Sequence, residues 1–358
     1  MIYWKNLSQK RLIMTLIKNK KPIIKISDNF SKYLESHSRH FILPLDYEDL
    51  LRFQDSFPVY DHDDEPTLWE TVMYPHQEQV ILEKALLQIY VTLLAGGDKS
   101  IIEHLSVDRI DYCAFANSRP FRIRVINKFN DNRDHFYVKK ADASRIYGLE
   151  FEGLLSPNRV NYMVDQNTLI EEHIIGIPGD HYIEHNMSHP KVNPVRLCKE
   201  FVKFNERCFT SLIGDMRSYN YVVNVTPDVE EDQYRVRPID FDQFCHEGNV
   251  QVYLPQFFPE NQKIVQLCMD RLNPETVRQY QREERNIIYR RFLYSKQQVK
   301  SLVACMSKDK LASRENIVQL REELSEFHKN KDFIKCNNMG DIIKQNIITL
   351  LNLESKKK

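Results

Sequence analysis

The sequence predicts an α+β protein: a small antiparallel β-rich region, then a mainly helical one, preceded by an N-terminal helical extension. Three observations lead there. Short runs rich in β-branched and aromatic residues, separated by turn-forming residues, fill the stretch from Ile110 to Ile175, and such runs read as strands. Apolar residues recur at helical spacing after Asn193-Pro194 and through most of the chain beyond Asp242, which reads as amphipathic helix. Glycine is scarce, with 9 in 358 residues, so each cluster of glycines marks a break between elements.

Residues 1–104 form the predicted extension. Its greasiest stretch, Val80 to Ala95, contains Glu83, Lys84 and Gln88, and is too short and too polar to cross a bilayer. It reads as a buried helix, with Pro75 before its first turn and Gly96-Gly97 past its end. The run Asp61-His62-Asp63-Asp64-Glu65 lacks the spacing and glycine of a calcium loop and reads as a solvated acidic loop. Lys5, Lys10, Arg11, Lys18, Lys20, Lys21 and Lys25 read as an exposed basic end, and no cleavage site of a secretory leader is expected there.

Residues 105–180 form the predicted β-rich region. Ile110–Phe115, Phe121–Phe129 and His135–Lys139 read as three antiparallel strands, broken by Asn117-Ser118-Arg119-Pro120 and Asn130-Asp131-Asn132-Arg133-Asp134, both strongly turn-forming. A helix over 144–155 follows, then strands over 160–164 and 168–175, closed by Ile175-Gly176-Ile177-Pro178-Gly179. Residues 181–358 form the helical region. It opens on a helix carrying Leu197, Phe201, Phe204 and Cys208, which stops at Gly214; a hairpin of 221–225 and 234–236 interrupts it, and helices are expected over 274–294 and 314–328.

Charge and cysteine content exclude several classes. Lys and Arg number 50, as do Asp and Glu, so there is no electrostatic footprint for nucleic acid or an anionic membrane, and neither is expected as a partner. Apolar residues at 42% place the chain among globular proteins and away from disordered ones. The seven cysteines are scattered with no C-x-x-C pair, which argues against a disulfide framework or zinc ribbon. A cytoplasmic location is expected.

The chemistry gathers after the central helix. Gly214-Asp215 is followed by Asn220, then the hairpin, then Ile239-Asp240-Phe241-Asp242. This order resembles the catalytic and metal-binding loops of the protein-kinase-like superfamily, nearest to the aminoglycoside and choline kinase branch of small-molecule phosphotransferases. The similarity covers roughly residues 105–330 in element order.

The resemblance implies a bilobal kinase-like fold that binds ATP and Mg²⁺ between its lobes and moves the γ-phosphoryl group to a hydroxyl. Such chemistry demands positioning and charge neutralisation more than covalent work. Asp215 would take or orient the acceptor's proton. Asn220 and Asp240, with Asp242 assisting, would be the oxygen ligands that suit Mg²⁺. Strand alternation places Lys139 opposite Phe136 and Val138, matching the family's phosphate-holding lysine, with Lys140 as fallback. Its partner would be Glu150, or else Glu152. The strand entering the hinge, through Glu172 and Ile174, would offer its backbone to adenine.

Two departures stand out. Ile213 occupies the position where the small-molecule kinases usually carry His, and the first hairpin turn, Ala116-Asn117-Ser118-Arg119-Pro120, has no glycine. Either Ser118 and Arg119 would then approach the phosphates with side chains, or the nucleotide would sit differently. No Ala-Pro-Glu follows Asp240, which favours a small-molecule acceptor. A protein hydroxyl, AMP transfer, and a catalytically silent pseudokinase acting as a binding module are the alternatives.

Three further features read as structural. His181, His185 and His189 recur every four residues ahead of Pro190, as a solvated connection. Cys245-His246 cannot readily form a nucleophile–base pair while adjacent in sequence. Arg278, Arg282, Arg285, Arg290 and Arg291 alternate with Glu275, Glu283 and Glu284, as a solvated face laced with ion pairs.

Overall fold

The computed structural model describes residues 21–61, 64–229 and 231–352. Lys5, Lys10, Arg11, Lys18, Lys20, His62, Asp63, Glu230 and the Lys356–Lys358 tail lie outside the described residues. The chain divides into two compact units, one made of residues 22–143 and 160–173, the other chiefly of residues 144–159 and 174–358. The first is built on an antiparallel sheet and the second is mainly helical. This α+β order of elements is consistent with the kinase-like organisation that the resemblance implies.

In the sheet unit, β1 (Asp55–Tyr60), β2 (Pro66–Met73), β3 (Leu105–Tyr112), β4 (Phe121–Asn127), β5 (Arg133–Lys140), β6 (Tyr162–Asp165) and β7 (Thr168–Glu172) pair in the order β1-β2-β3-β4-β5-β7-β6. The three expected antiparallel strands are β3, β4 and β5, in register from Tyr112↔Phe121 to Phe121↔Val138. Helices α1 (Asp28–Ser36) and α2 (His76–Leu94) precede and interrupt the strands. Leu82, Leu86 and Ile89 of α2 form one buried cluster with Ile110, Phe121, Ile123, Val125, Phe136, Val138 and Ile170 of the sheet. Alternation makes this possible, since every second side chain of a strand points to one face. Replacing a buried aromatic such as Phe136 by Ala would cost about 3–5 kcal/mol.

The N-terminal segment is more than a helical extension. Asp55–Tyr60 and Pro66–Met73 form a hairpin that joins the main sheet through Glu70↔Tyr112 and Thr71↔Asp111. Of the acidic run, Asp61, Asp64 and Glu65 are described and lie between the two strands, with Asp61 N donating to Glu65 O at 2.9 Å. The physical reason is visible in Phe57-Pro58-Val59-Tyr60 and Thr67-Leu68-Trp69-Glu70-Thr71-Val72, which are as β-prone as the strands expected further on. β1 is exposed along nearly all its length, with Pro58 blunting that edge. Helix α2 keeps Val80 and Ile81 exposed, so only one of its faces is buried.

In the helical unit, α3 (Ala143–Leu155) contributes from Ser144 onward. The expected β-rich region ended at 180, yet residues 144–159 belong with the helices. Side-chain contacts explain this. Ser144 Oγ donates to Phe244 O at 2.6 Å, the Phe151 and Phe244 rings lie 5.4 Å apart, and a Cβ at Gly148 would come within 3.0 Å of Phe241.

β8 (Ile177–Pro178), β9 (Tyr221–Thr226) and β10 (Gln233–Pro238) make a second sheet in the order β10-β9-β8. The Ile177-Pro178 segment is therefore not a bare linker but an edge strand on Val223 and Val222. α4 (Pro194–Ser211) buries Leu197, Phe201, Phe204 and Cys208 on one stripe. It starts at Asn193, whose side chain accepts from the amides of Val195 and Arg196, a conventional N-cap. It ends at Leu212, which is left-handed at φ 51°. Gly214 has a different task, because a Cβ there would lie 2.7 Å from Gln243 O.

The longer helices that follow are α5 (Gln262–Arg271), α6 (Pro274–Tyr294), α7 (Lys296–Met306), α8 (Arg314–His328) and α9 (Met339–Leu350). The charged residues of α6 divide between two faces: Glu275, Arg278, Arg282 and Arg290 are exposed as expected, whereas others turn inward. Arg285 Nε donates to Glu206 at 2.6 Å, Glu284 is 2% exposed and accepts from Arg207, and Glu283 meets Lys199 and Lys203. These partners all lie on α4, which α6 packs against. Among the described residues no helix is long and apolar enough to cross a membrane.

Candidate functional site

Helix α4, the hairpin β9–β10 and the segment after it bring Asp215, Asn220 and Asp240 together. Asp215 lies in the loop between α4 and β9, left-handed at φ 59°. Asp tolerates that region better than most residues, at a cost of about 1–2 kcal/mol. Its amide donates to Val252 O at 3.0 Å, and its carbonyl accepts from Arg217 N at 2.8 Å and Asn220 Nδ2 at 2.7 Å. Ile239 N donates to Asn220 O at 3.0 Å, which places the start of Asp240-Phe241-Asp242 against the same loop.

The carboxylate of Asp215 is oriented by Arg217, whose Nε donates to Oδ1 at 2.8 Å while Nη1 reaches Glu260 Oε1 at 3.0 Å. Burial pushes the Asp215 carboxyl up to about 6; Arg217 opposes that rise, and the negative charges of Asp240 and Glu260 add to it. A carboxyl tuned close to neutrality is suited to general-base work.

Two anchors of this loop were not legible in the sequence. Buried Asn261 donates through Nδ2 to Met216 O and Pro255 O, both at 2.8 Å, and accepts from Tyr221 OH at 2.9 Å. Ile213, at the position where the small-molecule kinases usually carry His, is fully buried, and its amide donates to Cys208 O at 2.9 Å. Backbone bonds and burial hold the loop in place of an imidazole.

The larger omission is Arg145. It lies near the start of α3 with its side chain 2% exposed, and Nη1 donates to Asp240 Oδ1 at 2.7 Å and to Asp242 Oδ1 at 2.9 Å. Nη2 donates to Ile239 O at 3.1 Å. The available signal is that Arg145 is the one basic residue in Ala143–Leu155, a helix rich in apolar residues, and a buried cation requires a carboxylate partner.

The expected nucleotide-holding residues of the sheet unit are placed as follows. Lys139 is buried on the face opposite Phe136 and Val138, and Nζ meets Glu171 Oε2 at 2.6 Å. Glu171 stands opposite Tyr137 on β7, the diagonal neighbour of Lys139 on the same face. Lys140 pairs with Glu48 near the surface, so the buried lysine is Lys139. Ser118 is buried, and the turn holds Arg119 left-handed at φ 42°, the conformation a glycine would take freely. Glu172 N donates to Asn161 O at 3.0 Å, and its carboxylate accepts from Asn161 Nδ2.

In the helical unit, Ile174 is buried, and Glu150 is buried and accepts from Gln298 Nε2 at 3.5 Å. Glu152, the second choice as lysine partner, is instead near Arg207 and Ser156, and burial raises its carboxyl above the usual range.

Magnesium generally binds proteins through one or two carboxylates together with substrate phosphates and water. The donors here fit that pattern. Asn220 Nδ2 is used on Asp215 O, so Oδ1, its only acceptor, is the polar atom of that side chain left to serve as a metal donor. Asp240 keeps a third of its side chain exposed. Among the described residues no group of three or more His, Cys, Asp or Glu is arranged to hold a metal. The His181 and His185 rings lie 4.6 Å apart between centroids with their planes tilted by 51°. Cys245 is fully buried, and burial pushes its thiol well up, away from nucleophilic use. All seven cysteines are buried and free of disulfides.

No family model matches the chain, and no curated protein matches it. Among solved structures it is similar to a Neurospora crassa PAN3 pseudokinase mutant at a TM-score of 0.20 and 10% identity, with 93% of this chain and 73% of that one covered. A TM-score that low carries no argument about fold or activity.

Proposed function

We propose that this protein is an ATP- and Mg²⁺-dependent phosphotransferase that moves the γ-phosphoryl group to a hydroxyl, with a small molecule as acceptor. The observation that carries the reading is the joining of Asp215, Asn220 and Asp240 around one loop, with Asn220 tied to the Asp215 carbonyl through its donor. Asn220 Oδ1 and Asp240 would hold the metal, which supplies charge neutralisation for the triphosphate. Asp215 is mostly ionised at neutral pH with its carboxyl near 6, and it takes the proton of the attacking hydroxyl. Arg217 fixes one carboxylate oxygen and leaves the other for that proton. The phosphate-holding role of Lys139 is part of the same proposal and rests on the resemblance.

A catalytically silent binding module is the second reading. The glycine-free turn and the guanidinium of Arg145 on Asp240 and Asp242 favour it. Incubation with γ-labelled and α-labelled ATP over a panel of hydroxyl acceptors separates the two. Transfer of γ-label that is lost in Asp215→Asn supports phosphotransfer; transfer of α-label shows AMP transfer, and transfer of neither supports the silent module.

A further inference from the structure

Asp240 and Asp242 are two carboxylates held against one buried guanidinium. Asp240 Oδ1 accepts from Arg145 Nη1 at 2.7 Å and from Asp242 N at 2.9 Å. A carboxylate oxygen has about two lone pairs, so that oxygen is filled. The Asp242 side chain is 8% exposed, and its Oδ1 accepts from the same Nη1 at 2.9 Å. A guanidinium does not lose its proton in proteins, so this positive charge is permanent. Nη2 on Ile239 O fixes its plane. Helix α3 is in turn held by Ser144 on Phe244 O and by Gly148 against Phe241.

The geometry points to Arg145 as the resident cation of the Asp240-Phe241-Asp242 segment, so that the site takes a single divalent cation with its nucleotide, through Asp240 and Asn220, and Asp242 is not a ligand. This rests on the reading of the loop as a magnesium–nucleotide site. A second divalent ion bridging Asp240 and Asp242 would have to displace a buried arginine hydrogen-bonded to both and to Ile239 O, and strip that charge of its two carboxylates. Arg145 is therefore a positioning residue: it orients Asp240 so that the remaining oxygen faces the metal, and it neutralises Asp242.

The test counts Mn²⁺ bound per molecule of AMP-PNP by electron paramagnetic resonance on the full chain. One Mn²⁺ per bound nucleotide is expected in the unmodified protein, in Asp242→Asn and in Arg145→Lys. Two are expected in Arg145→Met, where the carboxylate pair is released. Two Mn²⁺ in the unmodified protein, loss of Mn²⁺ in Asp242→Asn, or a folded Arg145→Met that still binds one would overturn the assignment. Should Arg145→Met fail to fold, the counts for the unmodified protein and Asp242→Asn decide. An unmodified protein that binds no AMP-PNP removes the phosphotransferase reading as well, an outcome distinct from a count of two.

Discussion

The side-chain amide of Asn220 donates to the main-chain oxygen of Asp215 at 2.7 Å, so one residue both braces the loop and aims an oxygen away from it. Asn220→Ala removes both contributions. The Asp215 carbonyl keeps a second donor in Arg217 N, so the stability loss is that of one hydrogen bond, about 1 kcal/mol. Affinity for Mn²⁺ with nucleotide should fall much further than the melting temperature does. Equal retention of metal affinity would remove Asn220 from the site.

Asp215→Asn should lower phosphoryl transfer by about 10²–10⁴-fold and yet stabilise the protein at neutral pH. The sign follows from the carboxyl rising from 3.8 to about 6 on folding. A raised carboxyl favours the folded state below pH 4, and this contribution is lost as pH climbs through 6. Above that, ionised Asp215 costs about 3 kcal/mol. The variant should therefore melt higher than the parent at pH 7.5 and nearly together with it at pH 4. Coincident curves at both pH values would show that the carboxyl is not perturbed.

Arg217 opposes the rise in the Asp215 carboxyl through both its hydrogen bond and its charge. Arg217→Leu should therefore move the acidic limb of the pH–rate profile to higher pH, with Arg217→Lys in between. An acidic limb that does not move would separate Arg217 from the proton transfer.

Gly179 is a position of close approach. A Cβ there would lie 2.3 Å from the Tyr221 ring and 2.4 Å from Ser218 O. Part of that obstruction is backbone, so it cannot be relieved by a rotamer change. Gly179→Ala should cost about 1–3 kcal/mol or more, read as a drop in denaturant midpoint. A neutral result would mean that the 218–221 segment shifts freely.

Arg207 is buried between α4 and α6, bonded to Glu200 at 2.8 Å, Glu284 at 3.2 Å and Val236 O at 2.8 Å. Arg207→Met strands buried carboxylates and should destabilise by about 3–5 kcal/mol, far more than loss of an exposed pair such as Arg196–Glu231, worth at most about 1 kcal/mol. Similar losses for the two would contradict the burial.

Local chemistry was legible in the chain where its rule is local. The turn residues between β3, β4 and β5, the alternation that puts Phe136 and Val138 in the core with Lys139 opposite, and the N-cap at Asn193 were all readable because neighbours a few positions apart determine them. The same holds for helices 274–294 and 314–328, which appear with those bounds. The hairpin at 55–73 is less legible: its two runs are β-prone, but a cluster of acidic residues separates them, and its strands gain order by joining a sheet whose other members come later.

Partners distant along the chain could not be read. Arg145 is 95 positions from Asp240, Arg207 is 77 from Glu284, and Lys139 is 32 from Glu171. The sequence by itself determined which carboxylates and amide stand on the loops after the central helix, since their spacing and the hairpin between them are written in consecutive residues. Tertiary structure alone decided which cation each buried carboxylate meets, because burial forces charges to pair and packing, rather than spacing, selects the partner within reach.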